Sequence, residues 1–364
     1  SKYCSIHSGM HHSIRYILGI AAFLGTFPVC NITKRNTQAL AFRWISLVTM
    51  YSLTLLAGFL TIEFIAIDYS IQHLNQANLT VAGGFKKATS GTIFYGNACL
   101  SVWLFLQLAR VWPDLAKKWQ LVELSMKRFG QPKLMLRLVA ITSVFMTLAF
   151  AEHVLHNILN VKSATELLSL EMNITNTVTF LGYMKIFSLK SHWFLFDTYE
   201  SYATWKGVAI VWLSLSGTFI WTFTDLFIML ISSVLAAQFR ILNSALRQVR
   251  GKMLTQFQWR EFREMYASLT HLVKLVDQHV NKIIVISIAN NVYFICAQLI
   301  TEIDAIKQNY TGSLFYLYSF LFLVARTTAV VIQAAAIHDE SRKLAPELFL
   351  CPAECYCIEV QRFL

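Results

Sequence analysis

Residues 314–337 read LFYLYSFLFLVARTTAVVIQAAAI, a run of 24 residues whose single charge is Arg326. As a helix it is about 36 Å long, more than the roughly 30 Å of hydrocarbon in a bilayer. The run passes into the charged segment HDESRKLAP at 338–346, and the sequence closes on EVQRFL at 359–364, where a further polar-to-apolar helix is just beginning. Five other runs have the same apolar character, at 44–67, 92–112, 138–159, 208–236 and 283–303, and none contains a proline. With 56% hydrophobic and 14% charged residues, against about 25% charged in soluble domains, the chain reads as an all-α membrane protein with six spans. Residues 16–29 are apolar too, but are too short to cross and are broken by Pro28. Lys34, Arg35 and Arg43 follow with no small-residue cleavage site, which argues for an interfacial helix over a signal peptide.

The net charge of +11 would suggest a nucleic-acid partner in a soluble protein. Here its distribution points to the bilayer instead. Of the 31 Lys and Arg residues, 23 fall in the amino-terminal segment, between the second and third spans, between the fourth and fifth, and after the sixth. Only seven fall in the alternate loops, so the positive-inside rule predicts a cytoplasmic amino terminus. Three glycosylation sequons, at Asn78, Asn173 and Asn309, fall in the outer loops of that topology, and one, at Asn31, falls inside. The seven cysteines lie mostly in spans or inner segments and form no disulfide framework. Cys351, Cys355 and Cys357 lack a fourth ligand at a recognised spacing, so no metal is expected.

Beyond the spans the apolar pattern changes. Leu115, Trp119, Val122 and Met126 recur at helical spacing, as do Phe239, Leu242, Leu246 and Val249, and then Trp259, Phe262, Tyr266, Leu269, Val273, Val276 and Val280. Charges such as Arg260, Glu261, Arg263 and Glu264 interleave with the last set, so one stripe packs and the rest faces water. Helix extensions over 113–137 and 237–282, gathered into a cytoplasmic anchor bundle, are the expectation; separate amphipathic helices on the inner leaflet are the alternative. Residues 161–207 are the least regular part and are expected to cap the outer face.

No phosphate loop, zinc-protease motif or nucleophile elbow is present, and no enzyme or cofactor is implied. What needs explaining is the set of polar groups inside apolar spans, since a charge at the bilayer centre costs at least about 2.5–3.5 kcal/mol on insertion scales. Arg326 has two candidate counter-ions, Asp225 and Glu152, and intramembrane pairing of Asp225 with Arg326 is the expectation. Asn290 and Asn291 are suited to bonding between helices.

The tail, with AAIHDESR at 335–342, Pro346, Pro352, Tyr356 and EVQRFL at 359–364, resembles the carboxyl-terminal signature of the insect gustatory receptors. So do ANNVYFIC at 289–296, WTFTDLF at 221–227, Glu152-His153, RYILG at 15–19 and Phe27-Pro28-Val29, and together they look most like the sugar-receptor branch. The family's terminal motif of Thr-Tyr, about five apolar residues and Gln-Phe is absent, so a pore-lining seventh helix is expected beyond Leu364.

The resemblance implies a seven-transmembrane subunit of a ligand-gated, poorly selective cation channel, a homotetramer or a heterotetramer with related receptors, in the plasma membrane of sensory neurons. Residues 1–43 are then a cytoplasmic segment, 44–337 carry the ligand-binding domain, and 338–364 link to the pore helix. A sugar presents C–H faces for aromatic rings and hydroxyls for carboxylates and amides. Candidate ligand-binding residues of those types are Tyr95, Asn97, Trp103, Glu152, His156, Trp221, Asp225, Asn291, Tyr293, Gln298 and Tyr318. A channel for a non-sugar tastant or odorant, or a membrane transporter, is the alternative; the transporter reading lacks the internal symmetry and broken helices that such folds use.

Overall fold

A computed structural model of the chain describes residues 9–74, 84–132, 134–172, 180–196, 201–305, 310–350 and 356–363. The three outer-loop sequons at Asn78, Asn173 and Asn309 lie outside the described residues. The elements are α1 (Met10–Phe23), α2 (Leu47–His73), α3 (Gly84–Met126), α4 (Leu134–Met172), α5 (Phe180–Ser191), α6 (Thr204–Gln248), α7 (Gln256–Ala305), α8 (Tyr310–Arg342), α9 (Leu344–Leu348) and α10 (Ile358–Phe363), with short 3-10 turns at Thr37–Ala39 and Trp193–Leu195. Among the described residues there is no strand, and six helices, α2, α3, α4, α6, α7 and α8, are long and apolar enough to span a bilayer.

The helices are longer than the membrane needs. α7 has 50 residues and is about 75 Å long. α3 and α6 have 43 and 45, about twice the hydrocarbon thickness each. The three therefore continue past one membrane face as rods, and at that end the residues spaced by threes and fours close a cluster of their own. Phe239, Leu242 and Leu246 of α6 pack there with Trp259, Phe262, Met265 and Leu269 of α7, Leu344 and Leu348 of α9, and Val360 of α10. Ion pairs tie the tail to the rods, among them Arg240–Glu340 at 3.1 Å, Arg247–Glu347 at 3.0 Å and Arg263–Glu359 at 2.7 Å.

α6 is the central pillar. Every residue from 222 to 239 is buried, with α3, α4, α5, α7 and α8 against it. The outer helices each bury one side and expose large apolar groups on the other, such as Phe64, Leu136, Phe150, Val285 and Leu321. In water such a surface would aggregate; in lipid it is the face the solvent demands. Packing and polar contacts rather than hydrophobic transfer then hold the helices together, because acyl chains are as apolar as leucine.

Two segments depart from the sequence reading. The first helix begins at Met10 and ends at Phe23, ahead of Gly25, whose φ of +74° is the left-handed conformation that stops it. It buries Met10, Ile14, Ile17, Leu18 and Ala21 in the main core, while Tyr16, Ile20 and Phe23 face outward. The outer segment is more regular than its charges suggest. α4 runs on to Met172, and α5 forms despite Lys185 and Lys190. Gly91 lies inside α3, where a Cβ would sit 2.9 Å from the Phe194 ring. The glycine is there for close approach.

Candidate ligand-binding site

The polar groups of the spans are organised by helical spacing. On α6, Trp221 and Asp225 are one turn apart; on α7, Ser287 and Asn291 are one turn apart, and the two pairs face each other. The Trp221 indole N–H donates to Asn291 Oδ1 at 2.6 Å, and Asn291 Nδ2 donates to Asp225 Oδ2 at 3.0 Å. Ser287 donates to Asp225 Oδ1. From α8, Arg326 brings Nη2 to 2.6 Å and Nε to 2.8 Å from Asp225 Oδ2. Its guanidinium lies 4.6 Å from the Trp221 ring centroid, with the Phe145 and Phe322 rings at 5.9 and 6.0 Å.

Asp225 is fully buried and Arg326 nearly so. Both carboxylate oxygens are satisfied, which is the condition under which a buried ion pair persists. The pair takes the counter-ion question away from Glu152, the other candidate on the sequence.

Glu152 belongs to a second layer. Ser319 of α8 donates to Glu152 Oε1 of α4 at 2.7 Å and accepts from Gln298 Nε2 of α7 at 3.1 Å. Beside them the Tyr318 hydroxyl donates to the Leu148 carbonyl at 2.8 Å. Glu152 lies seven residues after Phe145, Gln298 seven after Asn291, and Ser319 seven before Arg326. Two helical turns separate the layers on all three helices, about 10 Å. The reversed sign on α8 fits its running antiparallel to α4 and α7.

The other candidates lie apart. The Tyr293 hydroxyl is 2.6 Å from Thr89 Oγ1, joining α7 to α3. Tyr95 is buried in a separate cluster with Phe59, Val102 and Phe194, its hydroxyl 2.5 Å from His192 Nε2. Trp103 is 49% exposed on the outside of α3, where it faces neither layer. Asn97 is half-buried on the same helix, and His156 is exposed beside the Phe315 ring at 5.9 Å.

Four contributors escaped the sequence reading: Ser287, Ser319 and the rings of Phe145 and Phe322 around Arg326. Serine and phenylalanine are common in spans, so only an offset of four or seven residues from Glu152, Asn291 and Arg326 marks them. Asn290, adjacent to the first layer in sequence, is buried with neither amide atom hydrogen-bonded among the described residues.

Six candidate spans around a satisfied interior charge define a polytopic helical membrane protein that keeps its polar groups within the bundle. The chain belongs to the insect gustatory receptor family: the family model described as Trehalose receptor matches residues 2–364. Among curated proteins, it is similar to the gustatory receptor for sugar taste 64f of Drosophila melanogaster, 28% identical over 97% of this chain and 72% of that one. It is also similar to the same organism's gustatory receptor for sugar taste 64b, at 29% over 97% and 84%, and gustatory receptor 5a for trehalose, at 27% over 98% and 77%. This is a family of membrane receptors and not of enzymes.

Proposed function

We propose that the chain is a subunit of a sugar-gated, poorly selective cation channel, with the sugar held on the outer side of the bundle between α4, α6, α7 and α8. The observation that carries this reading is the pair of polar layers. Glu152, Ser319 and Gln298 form a half-buried hydroxyl-and-carboxylate set of the kind a polyol can replace, and about 10 Å deeper lies the Asp225–Arg326 pair with its aromatic wall. Sugar hydroxyls exchange hydrogen bonds with the first set, and its C–H faces stack on rings. The unpaired amide of Asn290 has the most to gain from a new partner, since a buried polar group without one costs about 1–3 kcal/mol. The sugar-taste relatives support a sugar over other tastants.

In this reading the amino terminus is cytoplasmic, on the arginine and lysine count, and the rod ends of α3, α6 and α7 form the anchor of a homotetramer or heterotetramer in the plasma membrane of sensory neurons. Asn78, Asn173 and Asn309 are its outer glycosylation sites. Sugar binds the open state more tightly than the closed one, and α7 and α8 carry the difference to the channel's pore.

The test is current recording from cells expressing the full-length receptor, across a panel of mono- and disaccharides. Glu152→Ala raises the half-maximal sugar concentration at least tenfold, the loss of one charged hydrogen bond, and Asp225→Asn reduces the maximal response. If both variants keep the parental dose response, the pocket lies elsewhere. If no sugar evokes current from a receptor that reaches the surface, the sugar reading fails.

A further inference from the structure

A second polar site lies at the opposite end of the bundle, where α1 meets the rods. The hydrophobic run of α3 ends near Trp112, so Glu123 stands about 16 Å beyond the span. Its Oε1 accepts the amide N–H of Met10, the first residue of α1, at 2.8 Å. The carboxyl is thus the cap of a helix whose preceding residue, Gly9, supplies no side chain. Behind this contact is a cavity of about 20 Å³, lined by Gly9, Glu123, Met126, Gln131 and Gln238 among others. Gln238 of α6 is 1% exposed, and neither its Oε1 nor its Nε2 has a hydrogen-bond partner among the described residues. A polar cavity of more than about 10–15 Å³ accommodates a water, and a buried amide with two unmet hydrogen bonds supplies the reason for one.

We infer that Glu123, Gln238 and a water trapped between them form a proton-operated lock that fastens α1 to α3 and α6. In the locked state the carboxyl is the neutral acid: one oxygen takes the Met10 amide, and the O–H of the other donates through the water to the Gln238 amide. A rise in pH removes that proton to solvent, leaving a carboxylate that makes no ion pair among the described residues.

The surroundings agree. Burial pushes the Glu123 carboxyl up to about 7, against the pull of the Met10 amide and the Trp119 indole. The titratable or charged groups lining the adjoining space are His11 and His12 of α1 and Arg35 of the following loop. Burial pushes the His11 imidazole down, against the pull of the Lys34 carbonyl, 2.8 Å from its Nε2. α6 contributes Gln238, and the turn after α3 contributes Gln131, neither charged. A carboxyl whose value is raised on docking binds its proton more tightly docked than free. Docking is therefore strongest at acid pH, weakens as pH rises from about 4.5 through 7, and is level above that. The inference does not depend on the sugar reading.

Hydrogen exchange of the full-length receptor in lipid nanodiscs, between pH 5.5 and 8.5 and corrected for intrinsic rates, tests it. α1 amides exchange about tenfold faster at the alkaline end. Glu123→Gln, which keeps an acceptor for Met10 and a donor for the cavity but cannot titrate, abolishes that slope and stays protected. An α1 without pH dependence in the parent, or a Glu123→Gln variant with the parental slope, overturns the lock. Should that variant fail to fold, Gln238→Leu decides in the same assay. Faster α1 exchange at pH 5.5 supports the lock, and parental rates at every pH overturn it.

Discussion

Arg326→Met removes the only cation that contacts Asp225 among the described residues, and leaves a carboxylate with no exposed surface held by Ser287 and Asn291 alone. Breaking a buried pair from one side costs about 3–5 kcal/mol, because the remaining charge keeps its desolvation penalty and loses its partner. Asp225→Asn strands Arg326 in the same way. With both changes the pair is gone and no charge is left behind. The double variant then loses mainly the stacking of the guanidinium on Trp221, 4.6 Å away, about 0.5–2 kcal/mol. The two single costs sum to about 6–10 kcal/mol, so the double variant lies at least about 4 kcal/mol above additivity. Unfolding of the purified receptor in mixed micelles with increasing denaturing detergent, read by tryptophan fluorescence, measures all four proteins. If the double variant falls by the sum of the singles, the ion pair is not what holds α6 to α8.

Three other outcomes follow from contacts described above. Gly91→Leu drives a side chain into the Phe194 ring 2.9 Å from the glycine's missing Cβ and lowers stability by about 1–3 kcal/mol, with partial rescue by Phe194→Ala in a thermal melt. Tyr95→Phe removes the hydroxyl from His192 Nε2 and costs about 1–2 kcal/mol, while the sugar half-maximal concentration stays parental, since that cluster lies apart from the polar layers. The Glu359 carboxyl is held below its usual value of 4.5 chiefly by its hydrogen bond from Arg263. A depressed value means the contact stabilises α10 above about pH 4.5 and is lost as pH falls below it; exchange at Ile358–Phe363 rises on acidification below that point, and Arg263→Gln reduces the dependence to what Arg362, 3.2 Å from the other oxygen, sustains.

The spans were legible because run length and charge scarcity are read along the chain without knowing any contact. The rods were legible for a related reason. Outside the membrane, Trp259, Phe262, Leu269 and Val276 must be sorted from the charges around them, so the helical period shows. Inside the membrane it does not, because both faces of a span are apolar, and one side meets lipid instead of water. Hence Trp103, exposed on α3, and Trp221, walled in by Arg326 and Asn291, look alike in sequence. The partner of Arg326 was open for the same reason: Asp225 and Glu152 both offer a carboxylate in a span, and only the two-turn offset between layers assigns one to the arginine and the other to Ser319. The α5 helix was hidden by its lysines. His192, a ring among charges, gave no sign of meeting Tyr95, 97 residues earlier.

From Gln256 to Ala305, α7 contains neither glycine nor proline, so it lacks the usual places for a helix to kink. An uninterrupted stick some 75 Å long transmits tilt rather than absorbing it. A pivot of about 3° at one end sweeps the other through about 4 Å, roughly three-quarters of the rise of a helical turn. Displacements around Asn291 smaller than a bond length are therefore magnified at Arg263, and the geometry of the chain provides its own amplifier without any intermediate joint.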